Sequence, residues 1–417
     1  MSDFRITGGH RLEGKVRAQG SKNASLPIFV ATLLTDEEII LRRVPHLKDI
    51  HTLTEILQAL GKTVEHNQSN IYSFSKTQKL SGKAPHQQVR KMRASFLVLG
   101  PLLARIGGAE VALPGGDAIG MRPVDLHLSG LQAMGAEFEL REGVVYARAK
   151  RLRPAEIFLK YPSVGATEHL MMTAALIPGR TAIHNPAQEP EISDLAQLLT
   201  KMGAKITVTP SHIEVAGCER LCAADHTIIP DRLCAGTYAI ATALCGGEVE
   251  IGANPTHLRP LIAVLREAGV KIEEHTESIL VRADKNQRYR PLEIETRPHP
   301  GFPTDLQAPM MPLLALASGT SRITETVFED RFAYVQGLQK MGASVEVWGQ
   351  TAIIHGVEKL HGAEVQALDI RAGVALVLAG LAAEGVTIVR DPKEHIARGY
   401  QNLGGDLRQI GAEISAT

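Results

Sequence analysis

Residues 131–140 read LQAMGAEFEL: an apolar residue, two variable positions, an apolar residue, a glycine, then alternation. Leu131 and Met134 are three apart, the spacing of one helix face. A glycine just past the last apolar residue marks a helix C-terminus, where the chain turns through a left-handed conformation. Phe138 and Leu140 then alternate with Glu137 and Glu139, as in a strand. The phrase recurs as LQALGKTVEH (57–66), LTKMGAKITV (199–208), LREAGVKIEE (265–274), LQKMGASVEV (338–347) and LRQIGAEISA (407–416). Its glycines, Gly61, Gly135, Gly203, Gly269, Gly342 and Gly411, stand 66 to 74 residues apart, so six units account for the 417-residue chain.

A second short strand follows five of the copies (IYSF, VVYARA, HIEV, ILVRA, AIIH), which makes each a hairpin. The sixth copy ends the chain, and FRIT at 4–7 is expected to supply its partner, so that the two chain ends meet. Between the hairpins lie segments apolar on nearly every side: ASLPIFVATLL, RASFLVLGPLLARIG, GATEHLMMTAALIPG, LCAGTYAIATALCGG, LQAPMMPLLALASG and IRAGVALVLAGLAAEG. Such helices are buried rather than amphipathic. Strands such as AEVAL, TAIHN, VEIGA and SRITET follow them. One unit is therefore a buried helix, a strand, a loop, an outer helix and two strands, with βαβ crossovers. Six such units make two similar lobes.

The bulk composition is that of an ordinary globular protein, 44% hydrophobic and 22% charged. Lys plus Arg equals Asp plus Glu, 45 each, so no overall basic field exists to hold nucleic acid or an anionic membrane. The longest apolar run, 372–383, is too short to span a bilayer. The start, MSDFRITGG, lacks the apolar stretch of a signal peptide. Cys218, Cys222, Cys234 and Cys245 do not have zinc spacing and read as buried or inert thiols of a reducing, cytoplasmic protein.

Charged or small polar residues precede all six buried helices: SKNAS (21–25), KMRAS (91–95), PSVGAT (162–167), PDRLCAG (230–236), PTDLQAP (303–309) and LDIRAG (368–373). Asp231, Asp305 and Asp369 suit helix caps or first-turn acids. Lys22, Arg93, Arg232 and Arg371 do not, because a cation at a helix N-terminus opposes the dipole at up to ~1 kcal/mol each. An anionic ligand held in a cleft between the lobes by free N–H groups and these cations is the expectation. Arg122, Arg331 and Arg398, in the loops before outer helices, read as further phosphate or carboxylate clamps. Neither a GKS/GKT phosphate loop nor GxGxxG occurs, so no nucleotide redox cofactor is expected.

Taken together, QGSKNASLP (19–27), RASFLVLGPLLAR (93–105), RPVDLH (122–127), SVGAT (163–167), EPEISDL (189–195), PHPGFPTDLQA (298–308), ITETVFEDRF (323–332), LDIRAG (368–373) and IARGY (396–400) resemble the UDP-N-acetylglucosamine 1-carboxyvinyltransferase family of enolpyruvyl transferases, essentially end to end. The resemblance implies an α/β fold, a two-domain inside-out α/β barrel of six βαβαββ repeats, three per domain. One domain would span 22–229 and carry a mobile loop at 113–123; the other would combine 1–21 with 230–417. It implies transfer of enolpyruvate from phosphoenolpyruvate to the sugar 3′-hydroxyl, by addition and elimination. The substrates would be phosphoenolpyruvate and UDP-N-acetylglucosamine, with no cofactor, metal, nucleic acid or membrane, in a monomer. By resemblance, Lys22, Asn23, Arg122, Arg371 and Arg398 bind phosphoenolpyruvate. Asn23, Arg93, Arg122, Pro123, Val124, Asp125, Ser163, Val164, Gly165, Asp305, Val327 and Arg331 bind the sugar nucleotide. The catalytic set is Asp117, Lys22, Asp305 and Arg398, with Asp305 taking the proton of the attacking hydroxyl.

The loop LPGGDAIGMRP (113–123) departs from the family, because most members have a cysteine where Asp117 stands. That cysteine is taken to protonate the methylene carbon of phosphoenolpyruvate and is the thiol that fosfomycin alkylates, so insensitivity to fosfomycin is expected here. An acid in that role must have its pKa raised about 3 units above ~3.9, or roughly 4 kcal/mol. Desolvation under a closed lid and a nearby phosphate both act in that direction, and Arg122 acts against it. Tyr161 also replaces a basic residue common near the uridine, with Lys160 adjacent. Two rivals share many of these features: a 5-enolpyruvylshikimate-3-phosphate synthase-like enzyme, and a sugar-nucleotide-binding protein without activity.

Overall fold

The computed structural model describes residues 3–67, 69–75, 79–115, 123–284 and 287–416. The chain forms two compact units, which among the described residues comprise 20–115 with 123–229, and 3–19 with 230–416. Each has its own hydrophobic core.

The repeated phrase does what its spacing predicts. All six glycines have positive φ, from 92° at Gly342 to 116° at Gly203, where an L side chain is strained. They turn the chain from outer helices, such as Lys48–Ala59 and Pro255–Ala268, into strands that pair antiparallel with the next strand along. The last copy is closed by the N-terminus: Phe4–Thr7 pairs antiparallel with Glu413–Ala416, Phe4 opposite Ala416.

The inner helices are Lys22–Ala31, Leu99–Ile106, Val164–Ala175, Arg232–Cys245, Gln307–Ala315 and Ile370–Ala382. From Ile370 to Leu381 every residue of the last is buried. Two of the six start later than the apolar pattern implies, behind the 3₁₀ turns Arg93–Val98 and Thr304–Leu306. Pro101 and Pro309 explain this. Each stands in the first turn of its α-helix, where a missing N–H costs no helix bond, whereas Pro27 and Pro312 are borne inside their helices.

Among the described residues five sheets have four strands, and in each a parallel strand joins the three antiparallel ones. In the sixth, Gly108–Ala112 with Val144–Arg148 and Glu137–Arg141, the fourth strand is reduced to a single bridge, Lys83 to Glu110. Two parallel partners come from far along the chain. Leu12–Arg17 lies beside Gly247–Gly252, and Ala224–Thr227 beside Ile39–Arg42. No helix among the described residues is long and apolar enough to cross a membrane.

Candidate active site

Four of the six inner-helix starts are closed by a side chain. Ser21 accepts from Ala24 N–H and Ser163 from Ala166 N–H. Asp231 accepts from Leu233 and Cys234 N–H, and Asp369 from Arg371 and Ala372 N–H. Asp305 takes the second of the two roles expected of it, a first-turn acid. It sits in the first 3₁₀ turn but makes no cap; its carboxylate is spent elsewhere.

In the unit of residues 3–19 and 230–416, Asp305 is clamped by two arginines. Oδ1 accepts from Arg331 Nη2 at 2.6 Å and Oδ2 from Arg371 Nη2 at 3.1 Å. The arginine side chains are 4% and 10% exposed, that of Asp305 26%. Burial pushes the Asp305 carboxyl up, but the charges of Arg371 and Arg331 outweigh it and hold it well below the usual carboxylate range. Arg371 reaches on to Tyr400, its Nη1 donating to the phenol oxygen at 3.0 Å, and Tyr400 in turn meets Thr237 at 2.8 Å. The Thr237 hydroxyl is also set to donate to Leu233 O, so Tyr400 donates to Thr237. The Arg331 guanidinium carbon lies 5.3 Å from the Phe328 ring centre, and its Nε is buried with no partner among the described residues. A buried donor of this kind suits an anionic acceptor. Val327 is half-buried in the same loop, and Arg398, half-buried, ends the 3₁₀ turn Ile396–Arg398.

In the other unit, Lys22 is the first residue of its helix and pairs with Asp49 Oδ2 at 2.7 Å. Both side chains are nearly enclosed, 11% and 7% exposed. Asp49, in the first turn of Lys48–Ala59, was not among the residues read from sequence. With it, two of the helix-mouth cations, Lys22 and Arg371, already have a carboxylate beside them. Asn23 follows Lys22 and is half-buried. Arg93 Nη2 donates to Pro123 O at 3.0 Å, which ties it to the segment holding Pro123, Val124 and Asp125. Asp125 opens the helix Asp125–Ala133. Tyr161 is exposed, and its carbonyl accepts from Ser163 N–H. Asp117 and Arg122 lie outside the described residues.

Two buried histidines support this second set, and neither was read from sequence. Gly100 N–H donates to His169 Nε2 at 2.6 Å, so His169 carries its proton on Nδ1 and donates to His127 Nδ1 at 2.9 Å. Burial pushes His169 down to about 3 and His127 well below its usual value, so both are neutral at pH 7. The His127 ring abuts Gly165: a Cβ there would lie 3.2 Å from its Cε1. Of the cysteines, Cys234 and Cys245 are buried, but Cys222 is exposed; among the described residues none of the four is in a disulfide. No group of three or more His, Cys, Asp or Glu placed to hold a metal occurs among the described residues.

Comparison with known proteins agrees with the fold. The EPSP synthase family, described as 3-phosphoshikimate 1-carboxyvinyltransferase, matches residues 6–407. A protein of Carboxydothermus hydrogenoformans named UDP-N-acetylglucosamine 1-carboxyvinyltransferase 2 is 50% identical over 99% of both chains. The enolpyruvyl transferase NikO from Streptomyces tendae superposes with a TM-score of 0.90 at 26% identity, covering 100% of this chain and 99% of that one. EPSP synthase from Acinetobacter baumannii shares the fold, with a TM-score of 0.77 at 17% identity over the whole of both chains. The chain belongs to the EPSP synthase family of enolpyruvyl (carboxyvinyl) transferases, alongside the UDP-N-acetylglucosamine 1-carboxyvinyltransferases.

Proposed function

We propose that the enzyme transfers the enolpyruvyl group of phosphoenolpyruvate to the 3′-hydroxyl of UDP-N-acetylglucosamine and releases phosphate, a step toward peptidoglycan precursors. The observation that carries this reading is Asp305, a carboxylate held between two buried guanidiniums. Support for the acceptor comes from the name of the 50%-identical relative.

In this reading Asp305 accepts the 3′-hydroxyl proton as the oxygen attacks C2 of phosphoenolpyruvate. With both arginines on it, Asp305 is a weak base. Anionic substrate oxygens that draw off one guanidinium raise its proton affinity, so the base is armed by the substrates it serves. Lys22, Asn23, Arg122, Arg371 and Arg398 hold phosphoenolpyruvate, and Lys22 and Arg398 balance the charge of the leaving phosphate. Arg93, Arg122 to Asp125, Ser163 to Gly165, Val327 and Arg331 hold the sugar nucleotide. Asp117 gives its proton to C3, forming the tetrahedral intermediate. Loss of phosphate and of one C3 proton restores the double bond in the product.

Because Asp117 replaces a thiol, fosfomycin has no sulfur to alkylate there, and the enzyme should keep its activity in its presence. Time-dependent inactivation by that epoxide contradicts this assignment. Asp117→Cys should turn over near the wild-type rate, and Asp117→Asn should fall to background. Full activity in Asp117→Asn excludes the acid role.

A further inference from the structure

Two buried carboxylates that the proposed chemistry does not use stand at the same point of successive repeats. Glu325 directly follows the strand Thr320–Thr324, and Asp391 directly follows Val386–Arg390. Glu325 is 1% exposed and Asp391 0%. Each turns back on the loop that comes after it. Glu325 Oε1 accepts from Val327 N–H at 2.8 Å, Phe328 N–H at 3.2 Å and Thr296 Oγ1 at 2.8 Å; Oε2 accepts from Thr304 Oγ1 at 2.8 Å. Asp391 Oδ1 accepts from His395 N–H at 2.7 Å and Oδ2 from Ile396 N–H at 2.9 Å.

What these bonds hold is specific. Thr304 precedes Asp305. Val327 is itself a sugar-nucleotide position, and the Phe328 ring lies under the Arg331 guanidinium. Glu325 thus fastens both ends of the Arg331–Asp305 pair, one through Thr304 and the other through Phe328. Asp391 fastens the 3₁₀ turn Ile396–Arg398 and so sets where Arg398 starts. A carboxylate taken out of water needs several donors, and giving it backbone N–H groups of a loop fixes that loop's path. The same device at the same repeat position, before two loops that both carry predicted ligand residues, points to a shared task.

We propose that Glu325 and Asp391 are positioning residues, Glu325 for the sugar-nucleotide side and Asp391 for the phosphoenolpyruvate side. The division between substrates rests on the function proposed above. The test is steady-state kinetics of Glu325→Ala, Glu325→Gln and Asp391→Ala with both substrates varied. Misplacement by about 1 Å can cost up to about a hundredfold, so Glu325→Ala should raise KM for UDP-N-acetylglucosamine at least about tenfold while KM for phosphoenolpyruvate moves less than about threefold. Asp391→Ala should do the reverse. Glu325→Gln should recover most of the loss. Its carbonyl oxygen can take the three Oε1 donors, and the Thr304 hydroxyl can accept from its amide. Unchanged KM values with a lower active fraction, equal rises for both substrates, or no recovery in Glu325→Gln overturns the proposal. If wild-type enzyme does not turn over this substrate pair, the functional reading fails on its own. The two carboxylates' hold on their loops is then judged by hydrogen exchange at the Val327, Phe328, His395 and Ile396 amides. Exchange at least about tenfold faster in the alanine variants supports that hold, and unchanged exchange overturns it.

Discussion

Replacing Asp305 by Asn changes almost no volume and removes the negative charge that both Arg331 and Arg371 contact. Each carboxylate oxygen serves a different guanidinium, at 2.6 Å and 3.1 Å. Asparagine offers one acceptor and turns an N–H group toward the other arginine. The arginine side chains are only 4% and 10% exposed, so water cannot take over. Breaking a buried pair from one side costs about 3–5 kcal/mol. For a cooperative unit of this size, 1 kcal/mol moves Tm by about 2–4 °C, so a fall of roughly 6–20 °C is expected. Calorimetric scans with and without inorganic phosphate measure it. The variant carries surplus positive charge, so phosphate should raise its Tm more than that of wild type. The sign with pH is also determined. The folded-state pKa of Asp305 is depressed, so its contribution is present above the unfolded value of ~3.9 and is lost as pH falls through the folded one; the gap between variant and wild type should narrow below about pH 4. A variant that melts within about 2 °C of wild type, with no added response to phosphate, refutes the idea that Asp305 neutralises these arginines.

The buried histidines give an acid limit of a different origin. His127 and His169 are neutral when folded and free to protonate when unfolded, so stability should fall by up to about 1.4 kcal/mol per pH unit for each as pH drops from ~6.5 toward the folded value of His169, about 3. His169→Gln should flatten that slope in urea titrations between those limits. Gly165→Ala presses a methyl on the His127 ring, which His169 holds in place, and should weaken sugar-nucleotide affinity with little change in Tm, as read by calorimetric titration. Gly100→Ala should be worse for folding. Its methyl would collide with the Thr173 hydroxyl and the His169 ring, for a loss of about 1–3 kcal/mol or more in chemical denaturation.

What was legible in the sequence was what local geometry encodes. Helix spacing, a glycine with positive φ and strand alternation all act within ten residues, so the repeated phrase located six outer helices and their hairpins. Pairing partners are another matter. Nothing in LEGKVR (12–17) specifies Gly247–Gly252 as its neighbour, because a strand's pattern states which face is buried and not which strand lies beside it. The helix mouths show the same limit at the level of single residues. Asp231, Asp305 and Asp369 have the same local signature, an acid at a helix start. Two of them cap, while the third is turned by the fold onto two arginines. Lys22 was recognised and its partner Asp49 was not. The pair depends on how one helix starts against another, which neither segment records. Glu325 and Asp391 were hidden for a related reason, since a buried acid after a strand reads as a turn residue until its donors are seen.

The most direct test is phosphate release from phosphoenolpyruvate, with UDP-N-acetylglucosamine and shikimate 3-phosphate as alternative acceptors. Stoichiometric phosphate and an enol-ether product are expected with the sugar nucleotide alone, abolished in Asp305→Ala. Release with shikimate 3-phosphate instead, or tight binding of the sugar nucleotide without any release, would contradict it.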